Sequence, residues 1–374
     1  MKKAILFFFS VSLVALIARC SRNSDPVDIN VEQEIIAEME AQKIPSVVAC
    51  VVKGDAMVWE GAFGHADVSA AKPATSSTLY SIESISKLFI SVSVLQLWEK
   101  GKLELDADIN QYLPFAVRNP NFPEQEITPR MLLTHTSSLA WPKAEDRLPD
   151  FEYFFIPEEV PLISEWLPEY ILPAGEHYRD AAWKQFPPGS QELYSNIGTS
   201  LLALMVEHLT GEDYRDYCRQ NILEPLEMYE SGFRLSNLNE DLLVTPYYEN
   251  NHPVFQFVYR HYPAGNLKTN IKDFSHFAIA ILNYGEYRGK RILERGTFET
   301  MFEIHNPATG MSLLWNHCLG DCIGKAGGGT GYSAWAEWHF KDDSALFIFS
   351  NRKNLPVYPG GRTYDLVRYK CTKL

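Results

Sequence analysis

The sequence predicts a mixed α/β (α+β) protein in which a central antiparallel sheet is flanked by helices and adjoined by an all-helical lobe. Two pairs of apolar segments predict the sheet. Residues 46–52 and 57–63 are separated by a Gly-Asp turn, and residues 333–340 and 345–349 by a short charged turn, so each pair is expected to form a hairpin. A further strand near Lys325 would join these hairpins in one sheet.

Helical patterns supply the elements between and around the sheet. Three segments predict helices: residues 31–42, 197–209 and 274–282. A fourth helix is expected to begin near Ser84, to be buried on nearly all sides because its sequence is almost continuously apolar, and to end at Gly101. No linker-like tract follows residue 30, so we expect residues 31–374 to form one unit with the helical lobe inserted at roughly 105–260.

The N-terminus has the features of an export signal. Residues 1–19 combine a positively charged start with an apolar run that is too short for a stable membrane span. Cys20 stands where a bacterial lipoprotein carries its cysteine, and residues 20–30 would form a polar tether. Arg19 departs from that pattern, because a small residue usually stands there. We expect an exported protein of the cell envelope or periplasm that is lipid-anchored at Cys20, with simple secretion as the alternative.

Charge and composition narrow the range of partners. The formal net charge is −13 at pH 7, and it becomes −16 when residues 1–19, with their three basic side chains, are removed. Such an acidic protein is not expected to bind nucleic acid or an anionic membrane surface. A hydrophobic content of 46% indicates a large core rather than disorder. We therefore expect a small-molecule or peptide substrate, with membrane contact only through the lipid anchor.

The cysteines indicate either a disulfide or buried thiols. Five cysteines follow Cys20, and an odd number cannot all pair. Cys318 and Cys322 are close enough in sequence to bridge a turn in an oxidising compartment. A zinc site is not expected there, since zinc needs further ligands and only His317 lies adjacent.

Ser84 and Lys87 carry the strongest chemical signal in the chain. A hydroxyl and an amine three residues apart share one face of a helix. A neutral amine within hydrogen-bond reach can take the serine proton, and the positive end of the helix dipole favours the resulting alkoxide. The same spacing occurs at Ser69 and Ser350, but neither of these serines opens a buried helix. Ser84 is therefore the candidate nucleophile, and the alternative is a serine at a helix start followed by an ordinary surface lysine.

Two further patterns place polar groups next to backbone turns. Tyr194-Ser195-Asn196 follows a Pro-Pro-Gly turn and precedes the helix over 197–209, which would present a phenol and an amide together. Lys325-Ala326-Gly327 leads into a run of glycines, where backbone can approach a ligand closely.

In order and context, three motifs resemble those of the serine β-lactamase and penicillin-binding protein superfamily, which includes class C β-lactamases, DD-carboxypeptidases, D-aminopeptidases and esterases. The motifs are Ser84-x-x-Lys87, Tyr194-x-Asn196 and Lys325-x-Gly327. Segments 132–139 and 262–267 also resemble the family, and the resemblance spans roughly residues 30–353. It implies a β-lactamase/transpeptidase-like fold, with the active site between the sheet domain and the helical lobe.

The resemblance also implies a role for each motif residue. Ser84 would be the acylated nucleophile, Lys87 its activating amine, and Tyr194 the group that relays protons and helps to activate the deacylating water. Backbone N–H groups of Ser84 and Gly328 would form the oxyanion hole. The residues expected to contact substrate are Asn196, Lys325 and Gly327. No metal or organic cofactor is implied.

These roles imply an exported serine hydrolase that acts on a β-lactam or on a D-amino-acid peptide of the cell wall. Lys325 favours substrates with a carboxylate, but Ala326 lacks the hydroxyl with which relatives help to hold that group. The alternatives are a carboxylesterase of the same fold and a catalytically idle binding protein of the envelope.

Two features are open to a structural or a functional interpretation. The aromatic segment 140–186 could form a wall or lid over a pocket, or a packed excursion of the helical lobe. His135 invites a serine–histidine triad, but with Lys87 available we expect it to have a structural hydrogen-bonding role.

Overall fold

A seven-stranded antiparallel sheet forms the centre of the protein in a computed structural model, which describes residues 30–141, 160–318, 322–353 and 357–374. In chain order the strands are β1 (Ser46–Lys53), β2 (Ala56–Asp67), β3 (Lys72–Pro73), β4 (Tyr80–Ser81), β5 (Lys268–Thr269), β6 (Glu286–Tyr287), β7 (Lys290–Arg291), β8 (Asn316–Cys318), β9 (Cys322–Gly329), β10 (Tyr332–His339) and β11 (Ser344–Ser350). The order across the main sheet is β3-β2-β1-β11-β10-β9-β8, and β4–β5 and β6–β7 form two small separate pairs.

Both predicted hairpins are confirmed, and the pairing of β1 with β11 joins them. β1 and β2 turn at Gly54, whose positive φ of 58° suits glycine. Val48 of β1 lies opposite Phe349 of β11, so the first and last long strands are neighbours at the centre of the sheet. Nearly every residue of these two strands is buried, since helices cover both faces of the sheet.

The α-helices are α1 (Val31–Gln42), α2 (Lys87–Glu99), α3 (Pro129–Leu133), α4 (Ile163–Ile171), α5 (Asn196–Thr210), α6 (Tyr214–Cys218), α7 (Ile271–Leu282), α8 (Arg295–Phe302) and α9 (Arg362–Lys373). The helices predicted at 31–42, 197–209 and 274–282 are confirmed as α1, α5 and α7. α2 is buried over most of its length and is followed by Gly101 in the left-handed conformation, as predicted. It begins three residues later than expected, because Glu83–Ser86 form a 3₁₀ turn before it.

Helix is less abundant between residues 105 and 260 than the sequence analysis predicted. The described part of this region holds α3 to α6, short 3₁₀ turns and long connecting segments. Prolines contribute to the difference. Pro114, Pro120 and Pro123 each lack the N–H that a continuous helix needs, and the segment around them contains only one 3₁₀ turn.

Cys318 and Cys322 form a disulfide that closes the β8–β9 hairpin, while Cys50, Cys218 and Cys371 are buried free thiols. Within the described ranges, no helix combines the length and apolarity needed to cross a membrane. The predicted signal segment, Cys20 and the tether up to residue 29 lie outside the described residues. Val31–Leu374 form one compact unit.

Candidate active site

The Ser84 hydroxyl lies between an amine and a phenol. Lys87 Nζ is 3.0 Å from Ser84 Oγ, and the Tyr194 hydroxyl is 2.6 Å from it. The 3₁₀ turn before α2 makes the first contact possible, because residues three apart are eclipsed in a 3₁₀ turn. The structure therefore brings together these three sequence-predicted residues.

Lys87 is fully buried, and its environment favours a neutral amine. It donates a second hydrogen bond of 2.7 Å to the carbonyl oxygen of Ala264, which fixes its position. Burial lowers the pKa of Lys87 well below its ordinary value, the charge of Lys325 lowers it further, and Glu83 acts in the opposite direction. In its neutral form Lys87 has a lone pair that can accept the Ser84 proton.

Tyr194 is placed to donate a proton. It precedes α5, whose N-cap Ser195 accepts a hydrogen bond from the Gly198 N–H. The ring packs against His135, at 4.6 Å between centroids, and remains 36% exposed. Desolvation raises the pKa of Tyr194, and the hydrogen bond with Ser84 only partly offsets this effect. A protonated phenol at neutral pH can donate to a leaving group but cannot act as a base toward water.

An open cavity of about 360 Å³ lies directly in front of Ser84. It is lined by Glu83, Ser84, Trp141, Tyr194, Asn196, Tyr259, His261, Ala264, Gly265, Gly328, Gly329, Thr330 and Lys353. Its size and its mixture of aromatic and polar groups suit a small molecule or the end of a peptide.

The second motif and a distant segment together form one wall of the cavity. Asn196 Nδ2 lies 3.2 Å from His261 Nε2, and the His261 ring stacks on Tyr259 at 4.9 Å. Trp141 meets His261 edge-on at 6.0 Å. Asn196 was predicted from the sequence, and Trp141 lies in the predicted wall segment, but Tyr259 and His261 were not predicted. The only available signal was the aromatic run before the 262–267 segment.

Residues 140–186 were expected to form either a wall over a pocket or a packed part of the helical lobe, and the described residues of this segment do some of each. Trp141 lines the cavity, whereas Trp166 and Trp183 are buried in the hydrophobic core. Residues 142–159 of this segment lie outside the described residues.

The third motif brings strand β9 against the Ser84 turn. A Cβ atom on Gly327 would lie 2.2 Å from the carbonyl oxygen of Ile82, so only glycine permits this approach. Gly328 follows at the cavity wall, where the oxyanion hole was predicted. Tyr358 donates a hydrogen bond of 2.7 Å to the Gly327 carbonyl oxygen and so holds the strand from its outer side. Tyr358 was not identified from the sequence, because it is 31 residues away from its partner.

Lys325 lies behind the cavity rather than on its wall. It is 3% exposed, its Nζ is 3.3 Å from Asn316 Oδ1, and it is not among the cavity-lining residues. Burial lowers the pKa of Lys325 to about 8, so the group is mostly charged at neutral pH. Its charge lowers the pKa of Lys87 and that of His135.

His135 has structural contacts. It is 1% exposed, and its Nδ1 accepts a hydrogen bond of 3.3 Å from the Ser195 N–H, which positions the second motif. Burial, together with the charges of Lys325 and Lys87, lowers the pKa of His135 well below its ordinary value. This neutral ring contacts Tyr194 rather than the nucleophile.

The two other Ser-x-x-Lys matches do not form sites. Ser69 is exposed in a turn, where it donates a hydrogen bond to Asp67. Ser350 is buried in β11 and donates to the backbone of Ser46. Among the described residues, Ser84 is the one serine of the three that hydrogen-bonds to the lysine of its motif.

A family model described as "Beta-lactamase" matches residues 31–368. Protein flp of Staphylococcus aureus (strain N315) is 26% identical over 212 residues, which are 54% of this chain and only 38% of that protein.

Solved structures share the fold. An octameric penicillin-binding protein homologue from Pyrococcus abyssi superposes with a TM-score of 0.74 at 23% identity, covering 91% of this chain and 76% of that one. A beta-lactamase/D-alanine carboxypeptidase from Pseudomonas syringae gives 0.70 at 18% identity, covering 92% and 97%. The predicted fold class, a β-lactamase/transpeptidase-like sheet flanked by helices, is confirmed.

Proposed function

Because the chain belongs to the beta-lactamase family, we propose that it is a serine hydrolase that works through an acyl-enzyme on Ser84. One observation carries the proposal: Ser84 Oγ lies 3.0 Å from a buried lysine amine and 2.6 Å from a tyrosine hydroxyl, at the wall of a cavity. A serine, its base and a proton donor within hydrogen-bond distance are the parts that acyl transfer needs.

Acylation follows from these contacts. Lys87 accepts the Ser84 proton as Oγ bonds to the substrate carbonyl carbon, and N–H groups of Ser84 and Gly328 stabilise the oxyanion. The bond to the leaving group then breaks. Tyr194 donates its proton to the leaving group and regains one from Lys87. Each oxyanion-hole donor of this kind contributes about 10²- to 10³-fold to kcat in serine hydrolases.

For the substrate, we propose the amide bond of a β-lactam or of a D-amino-acid cell-wall peptide. The fold is shared with a protein named as a D-alanine carboxypeptidase, and the mostly charged Lys325 gives the region behind the cavity a positive potential that suits a substrate carboxylate. The protein would act in the cell envelope after export, anchored through Cys20, and would need no cofactor. The chain spans 38% of the length of protein flp, so activities of that whole protein are not carried over.

Specific observations also support a second candidate function, that of a carboxylesterase. A carboxylesterase of the same fold does not need to bind a substrate carboxylate. Lys325 is buried and does not line the cavity, and Ala326 has no hydroxyl to support it. In that case Lys325 would act by lowering the pKa of Lys87.

Labelling with a fluorescent penicillin, followed by peptide mapping, tests the proposal. The label is expected on Ser84 and should be lost in Ser84→Ala. Ser69→Ala is a matched control, because Ser69 has the same sequence spacing to a lysine but lies in an exposed turn. Label that survives Ser84→Ala would refute the assignment of the nucleophile. If penicillin fails to label but a p-nitrophenyl ester acylates Ser84, the esterase alternative is the correct one.

A further inference from the structure

Glu83, the residue before the nucleophile, occupies a position that is unfavourable for a glutamate. Its φ of 49° lies in the left-handed region, which suits glycine or asparagine better than a long side chain. The residue is also only 3% exposed, although an ionised carboxyl is poorly accommodated in a protein interior. Two unfavourable features at one residue beside a nucleophile indicate a functional constraint.

The surrounding backbone leaves space for this carboxyl at the cavity wall. Glu83 itself lines the cavity, and so do Gly329 and Gly265, the two glycines next to its carboxyl oxygen. A Cβ on Gly329 would lie 2.2 Å from Glu83 Oε2, and one on Gly265 would lie 3.6 Å from it. The absence of a side chain at Gly329 therefore makes room for the carboxyl, whereas a Cβ on Gly265 would only be in ordinary van der Waals contact with it. The other oxygen, Oε1, is buried without a hydrogen-bond partner.

Charged and titratable groups face Glu83 from several elements. They are Lys268 of β5, Lys87 of α2, Tyr259, Tyr194, Tyr332 of β10 and Tyr358. Burial raises the pKa of Glu83 to about 7, while Lys268 has the strongest opposing effect. Burial lowers the pKa of Lys268 to about 8. Glu83 therefore changes protonation state near neutral pH, which suits a group that exchanges protons.

Deacylation leaves a task that the three motifs do not cover. A water molecule must lose a proton as it attacks the acyl carbon, and Tyr194 is a protonated phenol at neutral pH, as shown above. Lys87 is directed at Ser84 Oγ and at the Ala264 carbonyl oxygen. In the acyl-enzyme that Oγ is the leaving oxygen, so Lys87 serves the bond that breaks rather than the incoming water.

We propose that the Glu83 carboxylate is the general base that activates the hydrolytic water, an inference that rests on the proposed acyl-enzyme at Ser84. The water oxygen bonds to the acyl carbon while one of its protons passes to Glu83. When the carbonyl re-forms, the bond to Ser84 Oγ breaks, and Oγ takes the proton of the Tyr194 hydroxyl. The proton held on Glu83 returns through the cavity water to Tyr194. The net reaction adds one water and restores all three side chains.

A pre-steady-state experiment with p-nitrophenyl acetate tests this assignment. Acylation releases p-nitrophenol in a burst, whereas deacylation sets the later steady rate and the amount of acetylated Ser84 detected by intact-protein mass spectrometry. Glu83→Gln keeps the shape of the side chain but removes the base. We expect the burst to persist, deacylation to slow by about 10²- to 10⁴-fold, and acetyl-enzyme to accumulate. Glu60→Gln on the exposed face of β2 is the matched control and should behave as wild type.

The pH dependence of the wild-type protein provides a second measurement that does not depend on the variant folding. The deacylation rate should rise with pH through an ionisation above the ordinary range of a glutamate, because burial raises the pKa of Glu83, and Glu83→Gln should lose this limb. Lys268→Met should move the limb to higher pH, because the charge of Lys268 lowers the pKa of Glu83. If the charge of Lys268 had only a structural role near Glu83, this shift of the pH profile would not occur.

The outcomes separate this inference from the proposed function. If Ser84 is acetylated and Glu83→Gln deacylates at the wild-type rate, or loses acylation and deacylation equally, the base assignment is overturned while the acyl-enzyme stands. A flat deacylation profile in the wild type also overturns it. If the wild type never acetylates Ser84, the proposed function fails and this inference fails with it.

Discussion

Gly327→Ala tests whether the close packing of β9 against the Ser84 turn is needed for catalysis. The added Cβ would lie 2.2 Å from the Ile82 carbonyl oxygen and 3.1 Å from its carbon, and both are backbone atoms that cannot rotate away. An ordinary contact of 3.4 Å or more requires β9 to move away from the Ser84 turn by at least about 1 Å, a displacement that can cost roughly 10²-fold in rate. The backbone angle of Gly327 is not the obstacle, since its φ is not positive.

The displacement should act mainly through the oxyanion hole. Gly328 follows Gly327 directly, so its N–H would leave the position where the oxyanion develops. Loss of one such donor lowers kcat by about 10²- to 10³-fold, or about 3–4 kcal/mol. Stability should fall by about 1–3 kcal/mol, the usual effect of overpacking. Acylation by p-nitrophenyl acetate and thermal unfolding measure the two effects.

Gly296→Ala is the matched control for this experiment. Gly296 lies in the first turn of α8, and a Cβ there would have nothing within 4 Å. Alanine favours a helix over glycine by up to about 1 kcal/mol, so this variant should be as stable as the wild type or slightly more stable. If Gly327→Ala acylates and unfolds like Gly296→Ala, the close approach of β9 to Ile82 does not determine the geometry of the site.

Three other changes should have measurable effects. Lys325→Met should move the acid limb of acylation to higher pH, because Lys325 lowers the pKa of Lys87. A selective loss of about ten- to a hundredfold in kcat/KM on carboxylate-bearing substrates would show that Lys325 also binds the substrate. An equal loss on a neutral ester would favour the esterase alternative. Cys20→Ser should release the protein from membranes in cell fractionation, and equal partition of variant and wild type would argue against lipidation. Cys318→Ser should lower the free energy of unfolding by about 2 kcal/mol in urea titrations and abolish the effect of a reductant, because the disulfide closes only a short loop.

Elements with strong local signals were predictable from the sequence. The β1–β2 hairpin depends on apolar segments flanking a turn at Gly54, and α1 depends on periodicity over residues 31–42. Both are determined by neighbouring residues in the chain. The extent of helix between residues 105 and 260 was overestimated, because apolar content there supports packed irregular segments as well as helices.

Long-range contacts were not predictable in the same way. His261 in the cavity wall is 65 residues away from its contact at Asn196. Lys325 was correctly placed in a strand, but the sequence does not reveal whether its side chain faces the cavity or Asn316 behind it. Glu83 was overlooked for a related reason. Its positive φ and its burial depend on β9 and β5, which lie far along the chain.

Acylation and deacylation should depend on pH in different ways, because different side chains serve the two steps. Acylation requires a neutral Lys87 and a protonated Tyr194, and burial favours both forms over a wide range because it lowers the pKa of Lys87 and raises that of Tyr194. Deacylation, in our proposal, requires an ionised Glu83, whose pKa is about 7. Below that value the base of deacylation is protonated, whereas burial still favours the neutral form of Lys87. Acyl-enzyme should therefore accumulate in mildly acidic solution and turn over above neutrality, which assigns the pH sensitivity of the cycle to Glu83 rather than to the Ser84–Lys87 pair.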